Sequence, residues 1–427
     1  MNSAAFTGKD GGLKYLQTLG IDVPPFILVD HALHRQFCEL NAIEQLLDDE
    51  LSPLDAHARI IQHFGEVAAI VPVSVHRLYE QLVEHFGALS SVGITRSSSR
   101  FEDAAKCSYA GIFSSVSFDL HTYESFVKSL IAVWLSPFKD HVQAYTSALG
   151  TPKKPRDFIG TMGAIIQPYL LADRSGVVFS RSVCGAARAT CYANYGAGET
   201  LNTLGVHQCE LVEHQETFHV VRHAKHRLVL WPHKASRLAL GQGIASALGE
   251  LVVVGRYKSH LSKTRLPLSK AFLPCVGRSL RRQLYTVTHQ LIEHLGHRDF
   301  EFEWVAQADR LFLVQLRAIT ALDASAFTVP NDMEAIVAGK LQGPIHCWNE
   351  RQKVPDNAIV AVRNLEYSMI AFLRNIKGIL TLSGSPHSHI AIVCREAGIP
   401  VYKISAQQFE RLQRQPSRFC DGAWVFD

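Results

Sequence analysis

The chain has 427 residues, 47% apolar and 19% charged, with 43 basic against 39 acidic side chains and a formal net charge of +4. That length suggests two to four domains with chain enough for proper cores, and the composition is that of an ordinary soluble protein. The small, spread charge makes no case for a nucleic-acid partner or a membrane surface. Nine cysteines without a Cys-x-x-Cys pair read as free thiols in a reducing compartment, and the 21 histidines are scattered along the chain. The start lacks a basic leader or an apolar segment of signal-peptide length. The most apolar stretch, Met162 to Val178, is broken by Gln167-Pro168 and Asp173-Arg174. The expectation is therefore a cytoplasmic protein.

In chain order, Gly8-Lys9-Asp10-Gly11-Gly12-Leu13 is followed by Leu19-Gly20-Ile21-Asp22-Val23-Pro24-Pro25; a lone Gly-Lys says little by itself. Thr95-Arg96-Ser97-Ser98-Ser99-Arg100-Phe101-Glu102-Asp103 leads to Ser108-Tyr109-Ala110-Gly111. Its small hydroxyl residues and glycine suit backbone approach to phosphate oxygens, although such a run is usually a polar turn. Ala164 to Leu170 is an apolar strand carrying Gln167, and Tyr195-Gly196-Ala197-Gly198-Glu199 forms a turn. Phe300-Glu301-Phe302-Glu303-Trp304 alternates aromatic with carboxylate. After the turn-like Gln307-Ala308-Asp309-Arg310, Phe312, Val314 and Leu316 share a face opposite Gln315 and Arg317. A hairpin pairing near this turn can place Glu303, Gln315 and Arg317 on one face, directly opposed or one diagonal step apart. One carboxylate, one amide oxygen and one guanidinium suit a magnesium–triphosphate complex; a sheet with one solvated polar face is the alternative.

Periodicity is lost from Thr320 to Asp332, where Pro330-Asn331-Asp332 suits a linker. The last hundred residues or so read as a compact α/β unit, with its first strand at Gly343 to Trp348, its second at Ala358 to Val362 and its final one at Gly422 to Phe426. Inside it, the apolar run Gly378 to Leu382 is broken by Ser383-Gly384. Ile390, Val393 and Ala397 then fall on one helical face, Gly398 stands where a C-terminal cap belongs, and Pro400 precedes a strand from Val401 to Ile404. His389 thus lies in a strand-to-helix loop at the first turn of a helix. Free N–H groups and the helix dipole there favour a phosphate and disfavour imidazolium, which leaves a ring nitrogen free to attack.

The segment from Gly384 to Pro400, G-S-P-H-S-H-I-A-I-V-C-R-E-A-G-I-P, resembles the phosphohistidine motif of the phosphoenolpyruvate-utilising family. That family includes pyruvate phosphate dikinase, phosphoenolpyruvate synthase and rifampicin phosphotransferase. The phosphorylated histidine falls on His389. His387 stands where the family has threonine, as a rival nucleophile, a proton donor to the phosphoramidate or a polar loop residue; Ile390 replaces an alanine. The earlier segments are similar to further family motifs, in the family's order.

The resemblance implies an α/β (mixed α+β) fold: a two-lobed ATP-grasp nucleotide-binding domain over 1–322, a hinge over 323–334 and a small swivelling phosphohistidine domain over 335–427. It implies ATP binding by Lys9, Arg96, Gln167, Glu199, Glu303, Gln315 and Arg317, with Mg²⁺ on Glu303 and Gln315, and a phosphate-covering loop of Ser108, Tyr109, Ala110 and Gly111. Departures are Glu301 for aspartate, Ala318 for proline, and Arg181-Ser182-Val183-Cys184 where an Asp-Pro is expected. By resemblance, His389 takes the β-phosphoryl group with release of AMP and phosphate and passes it to a small-molecule acceptor or to a partner protein carrying the acceptor site. A degenerate nucleotide-binding regulator is the remaining reading. The barrel that binds pyruvate or phosphoenolpyruvate in the dikinases and synthases has no counterpart in this sequence, so the acceptor is not named by it.

Overall fold

A computed structural model describes residues 8–47, 52–102, 109, 111–148, 153–181, 188–199, 209–222, 228–232, 252–258, 261–266, 274–297, 299–307, 309–319, 333–348, 353–384, 386, 388–415, 417–420 and 423–426. The chain divides into two units. The first holds Met1–Leu171, Pro232–Ala245 and Phe312–Arg317; the second holds Ala172–Trp231, Ser246–Leu311 and Ala318–Asp427. The expected hinge lies almost wholly outside the described residues.

The first unit runs α1 (Gly8–Thr18), β1 (Ile27–Val29), α2 (His31–Leu40), α3 (Ile43–Leu46), α4 (Pro53–Glu66), α5 (Ser74–Phe86), β2 (Val92–Ser99), β3 (Ser115–Asp119), α6 (Tyr123–Trp134), α7 (Asp140–Ala148) and β4 (Met162–Pro168). The four strands form an antiparallel sheet in the order β1-β4-β2-β3. Every residue of β4 is buried, Gln167 included, which suits its mainly apolar sequence. Phe126, Leu130, Val133 and Trp134 recur at helical spacing, so α6 buries a single stripe, and all four are fully enclosed. Thr95 and Ser129 share a 2.7 Å hydroxyl–hydroxyl bond that fixes α6 on β2. Asp30 caps α2 by accepting from the Ala32 amide at 2.7 Å.

The second unit contains β5 (Arg174–Phe179), β6 (Thr190–Tyr195), β7 (Cys209–His214), β8 (Thr217–Arg222), β9 (Leu228–Pro232), β10 (Val252–Lys258), β11 (Leu261–Arg265), α8 (Arg278–Leu295) and β12 (Phe300–Gln307). Next come β13 (Arg310–Ala318), whose centre groups with the first unit, and then β14 (Glu334–Val337), β15 (Gly343–Cys347), β16 (Ile359–Asn364), β17 (Gly378–Ser383), α9 (His389–Glu396), β18 (Val401–Lys403), α10 (Ala406–Arg414), β19 (Ser417–Cys420) and β20 (Ala423–Phe426). Strands β12-β5-β6-β7-β8 lie side by side and antiparallel. Trp304 of β12 pairs with Gly176 of β5, and a Cβ on that glycine would stand 2.4 Å from the indole. The turn expected at Gln307–Arg310 is where β12 gives way to β13, with Asp309 at a φ of 66°.

The chain end forms one seven-stranded sheet, β14-β18-β17-β16-β15-β19-β20, with β15 to β18 parallel and the outer pairings antiparallel. Two expectations need correction. The strand at Gly343 is not the first of this sheet, because β14 precedes it and pairs with β18. Helix α9 is not one-faced: Ala391 and Cys394 are as enclosed as Ile390 and Val393, since α9 packs on both β14 and the 3₁₀ segment Tyr367–Asn375. Among the described residues, no helix is long and apolar enough to cross a membrane.

Candidate functional site

In the first unit, α1 starts at Gly8, whose φ is 77°, and presents Lys9 in its opening turn. Gly12 permits a close approach to β13, since a Cβ there would stand 2.4 Å from the Leu316 carbonyl oxygen. Lys9 is 8% exposed. Its Nζ donates to Ser97 Oγ at 2.7 Å and to Glu102 Oε1 at 2.9 Å. Ser97 Oγ donates to the same carboxylate oxygen at 3.1 Å, while Glu102 Oε2 is enclosed without a partner among the described residues. One turn-mate of Lys9, Asp10, accepts from Ser98 Oγ at 3.0 Å. The third Lys9 proton has no partner among the described residues, so the ammonium is held in place with a donor to spare.

Arg96 directly precedes Ser97 on β2 and bridges to β13. Nη1 donates to the Val314 carbonyl at 2.5 Å and to Gln167 Oε1 at 3.4 Å; Nη2 donates to Gln315 Oε1 at 2.7 Å. Gln167 Nε2 reaches the Pro24 carbonyl at 3.4 Å. Gln167, Gln315 and Arg317 are 2%, 5% and 8% exposed, so this is an interior polar group and not a solvated sheet face. Five of the residues expected at a nucleotide site therefore lie in one unit: Lys9 with its two partners, Arg96 bonded to Gln167 and Gln315, and Arg317 two residues further along β13. Three cations among few carboxylates are suited to an anion of several charges.

Of the expected covering loop, Ser108 and Ala110 lie outside the described residues. Tyr109 is 1% exposed, its amide donates to Tyr145 Oη at 3.1 Å, and its ring stacks on Phe113 at 5.2 Å. Here it belongs to an aromatic core. Gly111 has a φ of 69°, a left-handed conformation that glycine takes without strain.

In the second unit, Glu303 is half-buried on β12 opposite Val177, while Glu301 is 5% exposed, so the carboxylate face of this strand is not a solvated one. Glu199 is half-buried just beyond the β6 turn at Gly196. Both expected metal residues, Glu303 and Gln315, end in oxygen donors, the type Mg²⁺ takes; Gln315 Oε1 keeps a second lone pair beyond the one used by Arg96.

His389 is the first residue of α9, directly after β17 and its loop, as expected. Ser388 is the N-cap and its Oγ accepts from the Ala391 amide at 3.3 Å. The helix ends as the spacing predicts: Gly398 takes a φ of 67°, and the Ile399 amide donates to the Cys394 carbonyl at 2.7 Å. His387 lies outside the described residues. Sequence reasoning missed Glu102, which sat unremarked in the Arg96 segment, and Arg395, whose only signal was its place in the His389 motif.

Residues 4–336 match the pyruvate phosphate dikinase AMP/ATP-binding domain, and residues 354–408 match the mobile domain of PEP-utilising enzymes. The chain belongs to the PEP-utilising enzyme family. A probable phosphoenolpyruvate synthase of Archaeoglobus fulgidus is 23% identical over 92% of this chain and 52% of its own length. The phosphoenolpyruvate synthase of Pseudomonas aeruginosa is 24% identical with the same two coverages, 92% and 52%. This family member thus spans about half the length of the curated relatives it matches. Among solved structures, a D-alanine-D-alanine ligase of Coxiella burnetii aligns over 77% of this chain and 52% of its own, at 10% identity and a TM-score of 0.30.

Proposed function

We propose that this chain is an ATP-dependent phosphotransferase of the dikinase type, with an ATP-grasp nucleotide domain and a phosphohistidine carrier. The observation that carries the reading is the set of polar residues in the first unit, Lys9 buried against Ser97 and Glu102, Arg96 bonded to Gln167 and Gln315, and Arg317 two residues further along β13, in a chain whose α9 begins at His389 behind a serine cap. Lys9 offers its spare N–H to a phosphate oxygen, and the two guanidinium groups offset charge that would repel a nucleophile. A ring nitrogen of His389 bonds to the β-phosphorus as the α–β bridge breaks and AMP leaves. Loss of the γ-phosphoryl group to water as inorganic phosphate leaves the phosphohistidine. The amides of the first turn of α9 accommodate the charge that the ring then carries. Glu303 and Gln315 would hold Mg²⁺, which when bound neutralises triphosphate charge. An acceptor, small molecule or partner-borne, discharges the histidine.

The test is incubation of the purified chain with ATP labelled at the β-phosphorus. Acid-labile label on the protein with equimolar AMP is expected, and His389→Ala should take none. ADP as the sole spent nucleotide would refute the reading; full labelling of the alanine variant would move the nucleophile to His387.

A further inference from the structure

The segment that carries His389 is anchored at both of its ends. Where it leaves β17, Thr381 Oγ1 donates to the Ser383 carbonyl at 2.7 Å, and Ser383 Oγ donates to Asn364 Oδ1 at 2.6 Å. The ends of β17 and β16 are thereby tied together. Gly384 follows in such close quarters that a Cβ would stand 2.8 Å from Leu365 Cδ1. Where the segment joins α9, the Ser388 cap closes the first turn.

Between these anchors a third contact reaches back from the far end of the helix. Arg395 Nη2 donates to the Pro386 carbonyl at 2.6 Å, and Arg395 is only 9% exposed. A guanidinium is costly to enclose unless its donors are used, and a charge-assisted bond this short is stiff. Pro386 has no amide hydrogen of its own, so its carbonyl is the only hydrogen-bonding backbone group it offers. A cation in the last turn of a helix is favoured by the dipole whatever the loop does, which gives a purely structural rival account.

We propose that Arg395 is a positioning residue for phosphoryl transfer: by fixing the Pro386 carbonyl it sets the path of the segment that delivers His389. The inference rests on His389 being the phosphorylated residue. A reacting group displaced by about an ångström loses up to about a hundredfold in rate, so a loosened loop should slow labelling without weakening nucleotide binding.

The experiment compares wild type, Arg395→Met and Arg395→Lys by rapid-quench labelling from β-labelled ATP. A non-hydrolysable ATP analogue reports binding, and amide hydrogen exchange reports on the peptide over 384–391. The methionine keeps bulk without donors; the lysine keeps the charge and a donor. Expected are a fall of about ten- to a hundredfold in the labelling rate at saturating ATP for Arg395→Met, partial recovery in Arg395→Lys, unchanged analogue affinity and faster exchange in the peptide. The dipole account predicts lower stability with wild-type labelling. Wild-type labelling and exchange in Arg395→Met overturn this inference alone; should that variant not fold, an Arg395→Lys chain whose 384–391 peptide exchanges faster yet labels at the wild-type rate does so. A wild-type chain that takes no label overturns the functional reading together with the inference.

Discussion

Lys9→Met should cost far more than a surface substitution. The side chains of Lys9 and Glu102 are 10% and 3% exposed, so solvent screens the pair little. Taking away the ammonium leaves an enclosed carboxylate with one hydroxyl donor, Ser97, and an oxygen already partnerless among the described residues. Breaking a buried pair by removing one member costs about 3–5 kcal/mol, and the surviving Ser97 bond places the expected loss near about 3. With a urea slope of about 2–3 kcal/mol/M, the unfolding midpoint of the first unit moves down by about 1 M or more. Trp134, fully buried in that unit and 5.0 Å from the Phe37 ring, reports the transition by fluorescence. Adding Glu102→Gln removes the stranded charge and should return much of the loss, a coupling of about 2–3 kcal/mol. A Lys9→Met loss under about 1 kcal/mol, or a double variant less stable than either single one, would show that no such pair is buried in solution.

Three further outcomes follow from the same geometry. His34 is enclosed, its Nδ1 accepting from the Met162 amide at 3.0 Å, and burial lowers its pKa to about 3 from 6.5. Neutral His34 thus contributes stability that is complete above pH 6.5 and is lost as pH falls toward 3, at up to about 1.4 kcal/mol per pH unit; His34→Gln should flatten that limb in unfolding measured across pH. Burial pushes the Cys38 thiol up to about 12 and raises that of the fully enclosed Cys394 as well, so neither should react with a disulfide reagent until the chain unfolds. Gly12→Ala would force α1 off the Leu316 carbonyl and should weaken ATP-analogue affinity by about tenfold or more, read by titration.

What the sequence disclosed and what it withheld differ for physical reasons. His389 at a helix start was legible because helix-ending signals are local: Gly398 and Pro400 each act on neighbouring backbone, whereas the Ser388 cap was seen only in the structure. The completely buried β4 was legible as an apolar strand carrying Gln167. The covering on both sides of α9 was not, because it depends on β14 and on the segment at Tyr367, distant in sequence. Glu102 escaped notice for the same reason, since its meaning comes from Lys9, 93 residues away. Tyr109, expected over a ligand, lies among Phe113 and Tyr145, a packing preference that no local pattern encodes.

Strands β15 to β18 run parallel, and Asn364 and Ser383 sit together at the carboxyl ends of two of them. Open α/β sheets gather their chemistry along that rim, because successive crossovers leave it ringed by connecting segments. Here the rim bears the His389 segment, while the strands beneath supply a rigid floor. Exchanging the neighbouring connections would therefore alter what surrounds the His389 segment without disturbing the floor beneath it.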